Sequence, residues 1–240
     1  MIVKKIIIIG SSSGLGRELA ILYAQQNHSV AITGRRHELL EELKIKYPNN
    51  IITSAFDVTA GDNQKQIKLL IQKSGGLDLL IYNAGYGDPS LELVPETERL
   101  TTLTNVNGFV EIVSYAFNYF VQQGHGHIAL ISSISALRGN SWAPAYSASK
   151  AYMSNYAEGL SIKARKLKKE IYITDIKPGF IKTKMAKGNK QFWVAPVNKA
   201  ALQMVKAIEK KKRVVYITKR WWLVAIILKW LPYSIYRRMA

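Results

Sequence analysis

The sequence predicts a single α/β domain with a doubly wound, seven-stranded, mainly parallel sheet that carries helices on both faces. Two observations predict it. Short apolar runs alternate with amphipathic stretches along the chain, and the runs are rich in Ile and Val, as in strands buried on both faces. The 240 residues, of which 48% are apolar, are enough for one such domain with a full core.

Seven strands and six helices are expected to alternate. The strands are expected near residues 3–9, 29–33, 51–55, 77–82, 126–131, 171–176 and 214–218. The helices are expected near residues 15–27, 36–47, 60–74, 97–123, 146–168 and 196–212. The first apolar run, Ile6 to Ile9, is shorter than the apolar region of a signal peptide, so we interpret it as a buried strand.

A glycine-rich turn separates the first strand from the first helix. Glycine between a strand and a helix lets the backbone approach the pyrophosphate of a dinucleotide, which the helix amino terminus then holds. This context favours a Rossmann-type dinucleotide site over a plain tight turn. The predicted cofactor contacts here are Gly10, Ser11, Ser12, Ser13, Gly14, Leu15 and Gly16.

The end of the second strand indicates which dinucleotide is bound. Arg35 and Arg36 follow this strand, and no Asp or Glu occurs before Glu38. A carboxylate here would bind the ribose 2′-hydroxyl of NAD, whereas arginine accommodates the 2′-phosphate of NADP. NADP(H) is therefore favoured, and NAD(H) is the alternative.

The third and fourth strands also end in polar or small residues. Ligands of an open parallel sheet bind at the carboxyl ends of its strands. Asp57 and Val58 are expected to contact the adenine, with Asp57 accepting from its amino group. Asn83, Ala84 and Gly85 are expected to line the adenosine, although Asn83 could equally serve as a structural turn amide.

Three further residues predict proton chemistry. Tyr146 and Lys150 are four residues apart on a predicted helix and therefore share one face, and Ser133 precedes the tyrosine by thirteen residues. An ammonium beside a phenol stabilises the phenolate, so we expect Lys150 to lower the pKa of Tyr146 towards neutrality. Tyr146 is then a candidate general acid and base.

This ordered set of motifs resembles the short-chain dehydrogenase/reductase family through about residue 218. Two positions depart from the family pattern: Ile9, where threonine is frequent, and Tyr82, where an asparagine is usual. Neither takes part in bond chemistry, so only local support of the cofactor turn should differ. The matching residues are Gly10, Gly14, Gly16, Asp57, Asn83, Ala84, Gly85, Asn105, Ser133, Tyr146, Lys150, Pro178, Gly179 and Thr183.

The resemblance implies a role for each of these residues. Tyr146 would exchange the proton, Lys150 would lower its pKa and bind the nicotinamide ribose, and Ser133 would polarise the substrate oxygen. Asn105 would anchor a water that links Lys150 to solvent. The nicotinamide carboxamide would be positioned by Pro178, Gly179, Ile181 and Thr183. No metal is required, and the long helices near 105–123 and 146–168 would pack into a homo-dimer or tetramer.

The positive charge is concentrated at one end of the chain. Residues 161–240 hold 21 Lys and Arg against 3 Asp and Glu, whereas residues 1–160 hold 13 of each. This asymmetry indicates either an anionic partner or a solvated lysine-rich surface. Residues 219–240, called the tail below, form a basic aromatic extension of the domain 1–218 and not a separate domain. The apolar run Trp221 to Leu228 is too short to span a bilayer, so the tail could lie on an anionic membrane, cap the cleft or contact another subunit.

The sequence therefore predicts an oxidoreductase that acts on the carbonyl or alcohol group of a lipophilic small molecule. The alternative is a non-catalytic dinucleotide-binding sensor or docking module. No nucleic-acid-binding module is recognised, so nucleic acid is not an expected partner. The chain has no cysteine, which excludes disulfides and thiolate metal sites. We expect a cytoplasmic protein, and peripheral membrane association is one of the alternatives left open for the tail. The basic segment 183–195 is a candidate lid over the cleft.

Overall fold

The structure is a computed structural model that describes residues 3–89, 92–183 and 192–238. Its strands form one parallel sheet of seven in the order β3-β2-β1-β4-β5-β6-β7. The predicted doubly wound fold is confirmed. The strands are β1 Lys5–Ile9, β2 Ser29–Gly34, β3 Ile51–Ala55, β4 Leu79–Tyr82, β5 His125–Ile131, β6 Glu170–Pro178 and β7 Val214–Ile217.

Helices cover both faces of this sheet. The helix predicted over 97–123 is instead two helices, α4 and α5, joined by a π-helical turn at Leu103–Asn107. A short 3₁₀ helix, Ile134–Leu137, follows β5. The α-helices are α1 Gly14–Gln25, α2 His37–Lys46, α3 Asn63–Lys73, α4 Pro95–Thr102, α5 Gly108–Gln123, α6 Pro144–Lys166, α7 Val197–Glu209, α8 Trp221–Trp230 and α9 Tyr233–Tyr236.

The isoleucines of β1 explain why the chain folds as three layers. Ile6 and Ile8 face the core on the side of α1, α2 and α7, whereas Ile7 and Ile9 face the core on the side of α3, α5 and α6. All four are fully buried, and each contributes roughly 1.5–3 kcal/mol of hydrophobic stabilisation. A strand covered on both faces needs apolar side chains at every position, as this run provides.

The strand order places the candidate site. The connections from β1 lead towards β2 and β3 on one side, and the chain then returns to place β4 on the other side of β1. The crevice at such a reversal, outside the carboxyl ends of the strands, is where doubly wound sheets bind ligands. Gly10, Asn83 and Ser133 directly follow β1, β4 and β5 or lie one residue beyond, so all three belong to this edge. Among the described residues, none of the helices is both long and apolar enough to cross a bilayer.

Candidate active site

The glycine turn is packed closely against its neighbours. Gly10 has a φ of +85°, and a Cβ on it would lie 2.7 Å from the backbone of Ala84. A Cβ on Gly16 would lie 2.1 Å from the Gly10 carbonyl oxygen. Asn83 Nδ2 donates to that same carbonyl at 2.6 Å, which ties the end of β4 to the turn. Side chains are thus excluded from the turn at these positions, as a site for a pyrophosphate requires.

Arg36 lies across the serines of this turn. Its guanidinium donates to Ser12 Oγ at 2.7 Å and to Ser13 Oγ at 2.9 Å. Arg35 lies 3.7 Å from the Asp57 carboxylate at the end of the next strand. Two arginines and two hydroxyls at one edge form a donor set that fits a phosphate group.

Ser11 does not belong to that donor set. Its side chain is fully buried, its hydroxyl donates to the Ile8 carbonyl at 2.8 Å, and its N–H donates to the Thr33 carbonyl at 2.7 Å. Both groups therefore hold the turn against β1 and β2. A contact of Ser11 with the cofactor stays a prediction. Leu15 likewise packs against the core on the side of α1.

The adenine-side residues are held by local hydrogen bonds. Asp57 Oδ1 accepts from the N–H and the hydroxyl of Thr59, both at 2.9 Å. The Val58 carbonyl accepts from Asn63 Nδ2 at 2.8 Å, and a Cβ on Gly108 would lie 2.5 Å from that carbonyl oxygen. The loop after β3 is thereby fixed against the start of α5, with Asp57 half-exposed towards Arg35.

Ser133 and Tyr146 come together at the carboxyl end of β5. Ser133 caps the 3₁₀ helix, where its Oγ accepts from the Ser135 N–H at 3.1 Å, and Tyr146 lies in the first turn of α6. The two hydroxyls lie near each other, and the Ser133 hydroxyl acts to lower the pKa of Tyr146. The Tyr146 ring packs against Gly87, where an added Cβ would lie 2.3 Å from ring carbon Cδ2. The sequence did not predict that Gly87 makes room for the Tyr146 ring, although its place two residues after Gly85 puts it beside the predicted site.

Lys150 is buried one turn beyond Tyr146. Its Nζ donates to the Ile131 carbonyl at 3.0 Å and lies 5.7 Å from the centroid of the Tyr146 ring. Desolvation by burial lowers the pKa of Lys150 to about 8, against an opposing effect of the Asp175 carboxylate. Gly85 leaves room for this ammonium, because a Cβ there would lie 3.3 Å from Nζ.

The predicted lowering of the Tyr146 pKa is wrong for the protein groups alone. Burial raises the pKa of Tyr146, and the hydrogen bond from Ser133 opposes it to a smaller extent. Lys150 does not lower it because its ammonium bonds to a carbonyl of β5 instead of the phenol oxygen. Tyr146 is consequently protonated at neutral pH.

Asn105 occupies the π-helical turn. It is fully buried, its Nδ2 donates to the Tyr86 carbonyl at 2.7 Å and to Ser149 Oγ at 2.9 Å, and its Oδ1 accepts from the Tyr86 N–H at 2.8 Å. Single π-helical turns are frequent at functional sites. The Tyr82 hydroxyl donates to the Thr104 carbonyl at 2.9 Å, so the departure from the family pattern at 82 supports this turn.

A buried ion pair behind the site was missed from the sequence. Asp175 and Lys177 of β6 lie 2.6 Å apart, and both are buried. The Asp175 carboxylate accepts from Ser132 at the end of β5 and from Ser154 of α6, and Lys177 contacts Ser154 as well. The pair thus connects the end of β5, next to Ser133, with the helix that carries Tyr146 and Lys150. Its sequence signal is two opposite charges two residues apart within an apolar strand.

The last predicted cofactor residues follow β6. The N–H of Gly179, which follows Pro178, donates to the Ile217 carbonyl at 2.7 Å. Ile181 bridges to Ala195, and a Cβ on Gly14 would lie 3.5 Å from Thr183 Cγ2, so this segment returns to the glycine turn. The predicted lid, 183–195, lies largely outside the described residues.

The tail packs on its own chain next to this segment. Trp221 is buried, and a Cβ on Gly179 would lie 1.9 Å from its ring. Arg138 donates to the Leu228 and Leu231 carbonyls at 3.3 and 3.1 Å, and its guanidinium lies 4.5 Å from the centroid of the Tyr236 ring. The tail therefore covers the segment that follows Ser133.

Comparison with known proteins agrees with this geometry. Residues 4–192 match the family described as short chain dehydrogenase. The chain belongs to this family of oxidoreductases. An uncharacterised oxidoreductase of Mycobacterium tuberculosis is 30% identical over 249 aligned positions, which cover 99% of this chain and 97% of the relative.

Solved structures share the fold. A short-chain dehydrogenase from Streptomyces avermitilis superposes with a TM-score of 0.84 at 23% identity, over 99% of this chain and 95% of the other. The structure of ElxO with NADP bound superposes with a TM-score of 0.80 at 22% identity, over 92% and 99%.

Proposed function

We propose that the protein transfers a hydride between NADP(H) and the carbonyl or alcohol group of a lipophilic substrate, with Tyr146 as general acid in reduction and general base in oxidation. The observation that carries the proposal is that Ser133, Tyr146 and the buried Lys150 come together at the carboxyl end of β5, with Lys150 Nζ 5.7 Å from the centroid of the Tyr146 ring. This retained set argues against a non-catalytic sensor or docking module.

The residues at the sheet edge fit the cofactor. Gly10, Gly14 and Gly16 leave the turn free of side chains where the pyrophosphate would bind, and Arg36 with Ser12 and Ser13 suits a 2′-phosphate. The NADP bound by ElxO, a protein of the same fold, supports NADP(H) over NAD(H). Bound NADPH would supply the hydride, and Pro178, Gly179, Ile181 and Thr183 would orient the carboxamide.

Proton transfer follows from the state of the phenol. Because burial raises the pKa of Tyr146, the hydroxyl holds its proton at neutral pH and can give it to the substrate oxygen during reduction. Ser133 would donate a hydrogen bond to that oxygen, which strengthens as negative charge develops on it. Lys150 would bind the nicotinamide ribose, and Asn105 would anchor the water through which a proton returns from solvent.

The partners in this proposal follow from the surroundings of the site. Aromatic residues in the segments expected to line the substrate pocket, among them Tyr86, Trp142 and Phe180, suit a lipophilic substrate. We further propose that the protein is a homo-dimer or tetramer and that residues 219–240 contact an anionic membrane.

The test is Tyr146→Phe, with Tyr152→Phe on the same helix as the matched control. NADPH and NADH oxidation would be measured over aldehydes, ketones, sterols and acyl thioesters. We expect Tyr146→Phe to lower kcat/KM for a responsive substrate by about 10²–10⁴-fold, since a positioned general acid contributes that much, while NADPH binding persists. Tyr152→Phe should behave as the unaltered protein. Undiminished activity of Tyr146→Phe would refute the role, and tight NADPH binding without turnover of any substrate would favour the non-catalytic module.

A further inference from the structure

Helix α8 has two apolar faces, only one of which packs against the protein. Trp221 and Ala225 are buried against the domain. The opposite face is bare, with Trp230 83% and Ile227 59% exposed. Large apolar side chains this exposed over consecutive helical turns mark an interaction site. The exposed apolar residues of this face, called the α8 face below, are Trp222, Leu223, Ile226, Ile227 and Trp230, and α9 adds Tyr233 and Ile235.

The charge around the α8 face determines which partner fits. Residues 210–240 contain nine Lys and Arg and no Asp or Glu. Lys219, Arg220 and Lys229 border α8, and Arg237 and Arg238 follow α9; all five are exposed. Two copies of the chain that met through this face would bring like charges together, whereas an anionic lipid surface complements them.

We propose that α8 and α9 lie flat in the headgroup layer of an anionic membrane, with the α8 face towards the acyl chains. Tryptophan and tyrosine favour that layer, and lysine and arginine beside it reach the lipid phosphates. With ten residues, α8 is about 15 Å long, which suits a helix in the plane of the surface.

The buried side of α8 packs on aromatic residues next to the proposed cleft. Trp221 packs against Phe192 and Trp193, with ring centroids 5.0 and 6.1 Å apart, and against Phe180 at 5.5 Å. Phe192 and Trp193 are themselves half-exposed. This part of the inference rests on the proposed function: the nicotinamide end of the site, next to Gly179, opens beside the lipid, so the substrate is a membrane-resident carbonyl or alcohol compound.

Vesicle co-sedimentation of the full chain, without cofactor or substrate, tests the surface. The probes are vesicles of phosphatidylcholine that contain phosphatidylglycerol and vesicles of phosphatidylcholine alone. Ile227→Gln with Trp230→Gln removes apolar contact without altering charge, and Ile45→Gln with Leu69→Gln on α2 and α3 is the matched control. We expect strong binding only with phosphatidylglycerol, a loss of about tenfold or more in the α8 variant and none in the control.

A second variant tests the charge. Lys219→Gln with Lys229→Gln should weaken binding to the anionic vesicles by about tenfold or more, because each lysine near an anionic surface adds its own electrostatic attraction to the binding. Tyr146→Phe should bind as the unaltered chain does, which separates this inference from the proposed function. Absence of binding, or equal binding to both kinds of vesicle, would overturn it. So would an α8 variant that changes the sedimenting mass of the chain in solution, since a second copy would then occupy the face.

The access route has its own readout. In the α8 variant, oxidation of NADPH with a long-chain aldehyde held in anionic vesicles should fall by about tenfold, in proportion to lost binding, whereas oxidation with a short water-soluble aldehyde should stay unchanged. An equal fall with both aldehydes would show that α8 shapes the cleft itself and would overturn the access route.

Discussion

At the scale of single residues, the burial of Lys150 lowers the stability of the fold. An ammonium buried to this extent binds its proton less readily than in water, which is why its pKa falls from 10.5 to about 8. A shift of this size corresponds to roughly 3 kcal/mol of destabilisation at neutral pH.

Lys150→Met should therefore change how stability depends on pH. Since the pKa is lower in the folded chain, the unfolded chain binds more protons between about pH 8 and pH 10.5, and the contribution of Lys150 to stability rises with pH across that window. We expect the variant to be more stable than the unaltered chain at neutral pH, and this advantage to shrink by about 2 kcal/mol by about pH 9.5.

Urea unfolding of both proteins at the two pH values measures this difference, in which titrations common to both cancel. A difference that stays constant with pH would show that Lys150 titrates in the folded chain as it does in water. The variant should also lose oxidoreductase activity, since it lacks the cation.

The sequence predicted which residues meet at the site, but it did not predict their burial or their hydrogen-bond partners. The spacing of Tyr146 and Lys150 placed these two residues on one face of α6, and the motif placed Ser133 after β5. The structure brings the three side chains together. The direction of the Tyr146 pKa was not predictable, because it depends on burial and on where Lys150 sends its hydrogen bond. Ser11 shows the same limit: its motif position does not reveal that its hydroxyl donates to the Ile8 carbonyl.

At the scale of elements, the buried Asp175–Lys177 pair of β6 fixes the end of β5 and helix α6 relative to each other. The Asp175 carboxylate accepts hydrogen bonds from a hydroxyl on each side, those of Ser132 and Ser154, and Lys177 neutralises its charge. Since removal of one partner leaves the other charge buried and unpaired, Asp175→Asn should destabilise the fold by about 3–5 kcal/mol. Lys177→Met should destabilise it similarly, whereas the double variant should be much less destabilised than the sum of the two single ones.

Chemical unfolding of the three variants gives the coupling energy of the pair. Activity supplies a second readout: if the pair positions Ser133 relative to Tyr146, the double variant should keep a reduced kcat even where its stability recovers. Additive destabilisation, with normal kcat in the double variant, would contradict both the coupling and the positioning role.

Elements were predicted well where one physical signal determined them. Continuous apolar runs predicted all seven strands to within two residues at each end. The helix over 97–123 was predicted as continuous because its apolar period does not reveal the π-helical turn, which depends on Asn105 binding the backbone of Tyr86. The Asp175–Lys177 pair was not predicted, since two charges in an apolar strand indicate burial together only once their partners on β5 and α6 are known.

At the scale of the whole molecule, α6 presents a stripe that suits a second copy of the chain. Tyr152 and Tyr156 stack with centroids 5.9 Å apart, Ile162 is 52% exposed further along the helix, and Gly159 between them has no atom within 4 Å of the position of an added Cβ. Aromatic and aliphatic side chains around a small residue allow two helices to approach closely. This agrees with the expectation that the helices near 105–123 and 146–168 form the contact between subunits.

Ile162→Glu should therefore dissociate the oligomer. In a contact with two-fold symmetry each residue enters twice, so the substitution places two like charges in one apolar interface. We expect the dissociation constant, measured by sedimentation equilibrium, to rise by about tenfold or more, because an unpaired buried charge costs several kcal/mol. Ile45→Glu on α2, where the isoleucine is 79% exposed, is the control and should leave the mass unchanged. If Ile162→Glu sediments like the unaltered chain, α6 is not the subunit contact, and its exposed apolar stripe requires another partner.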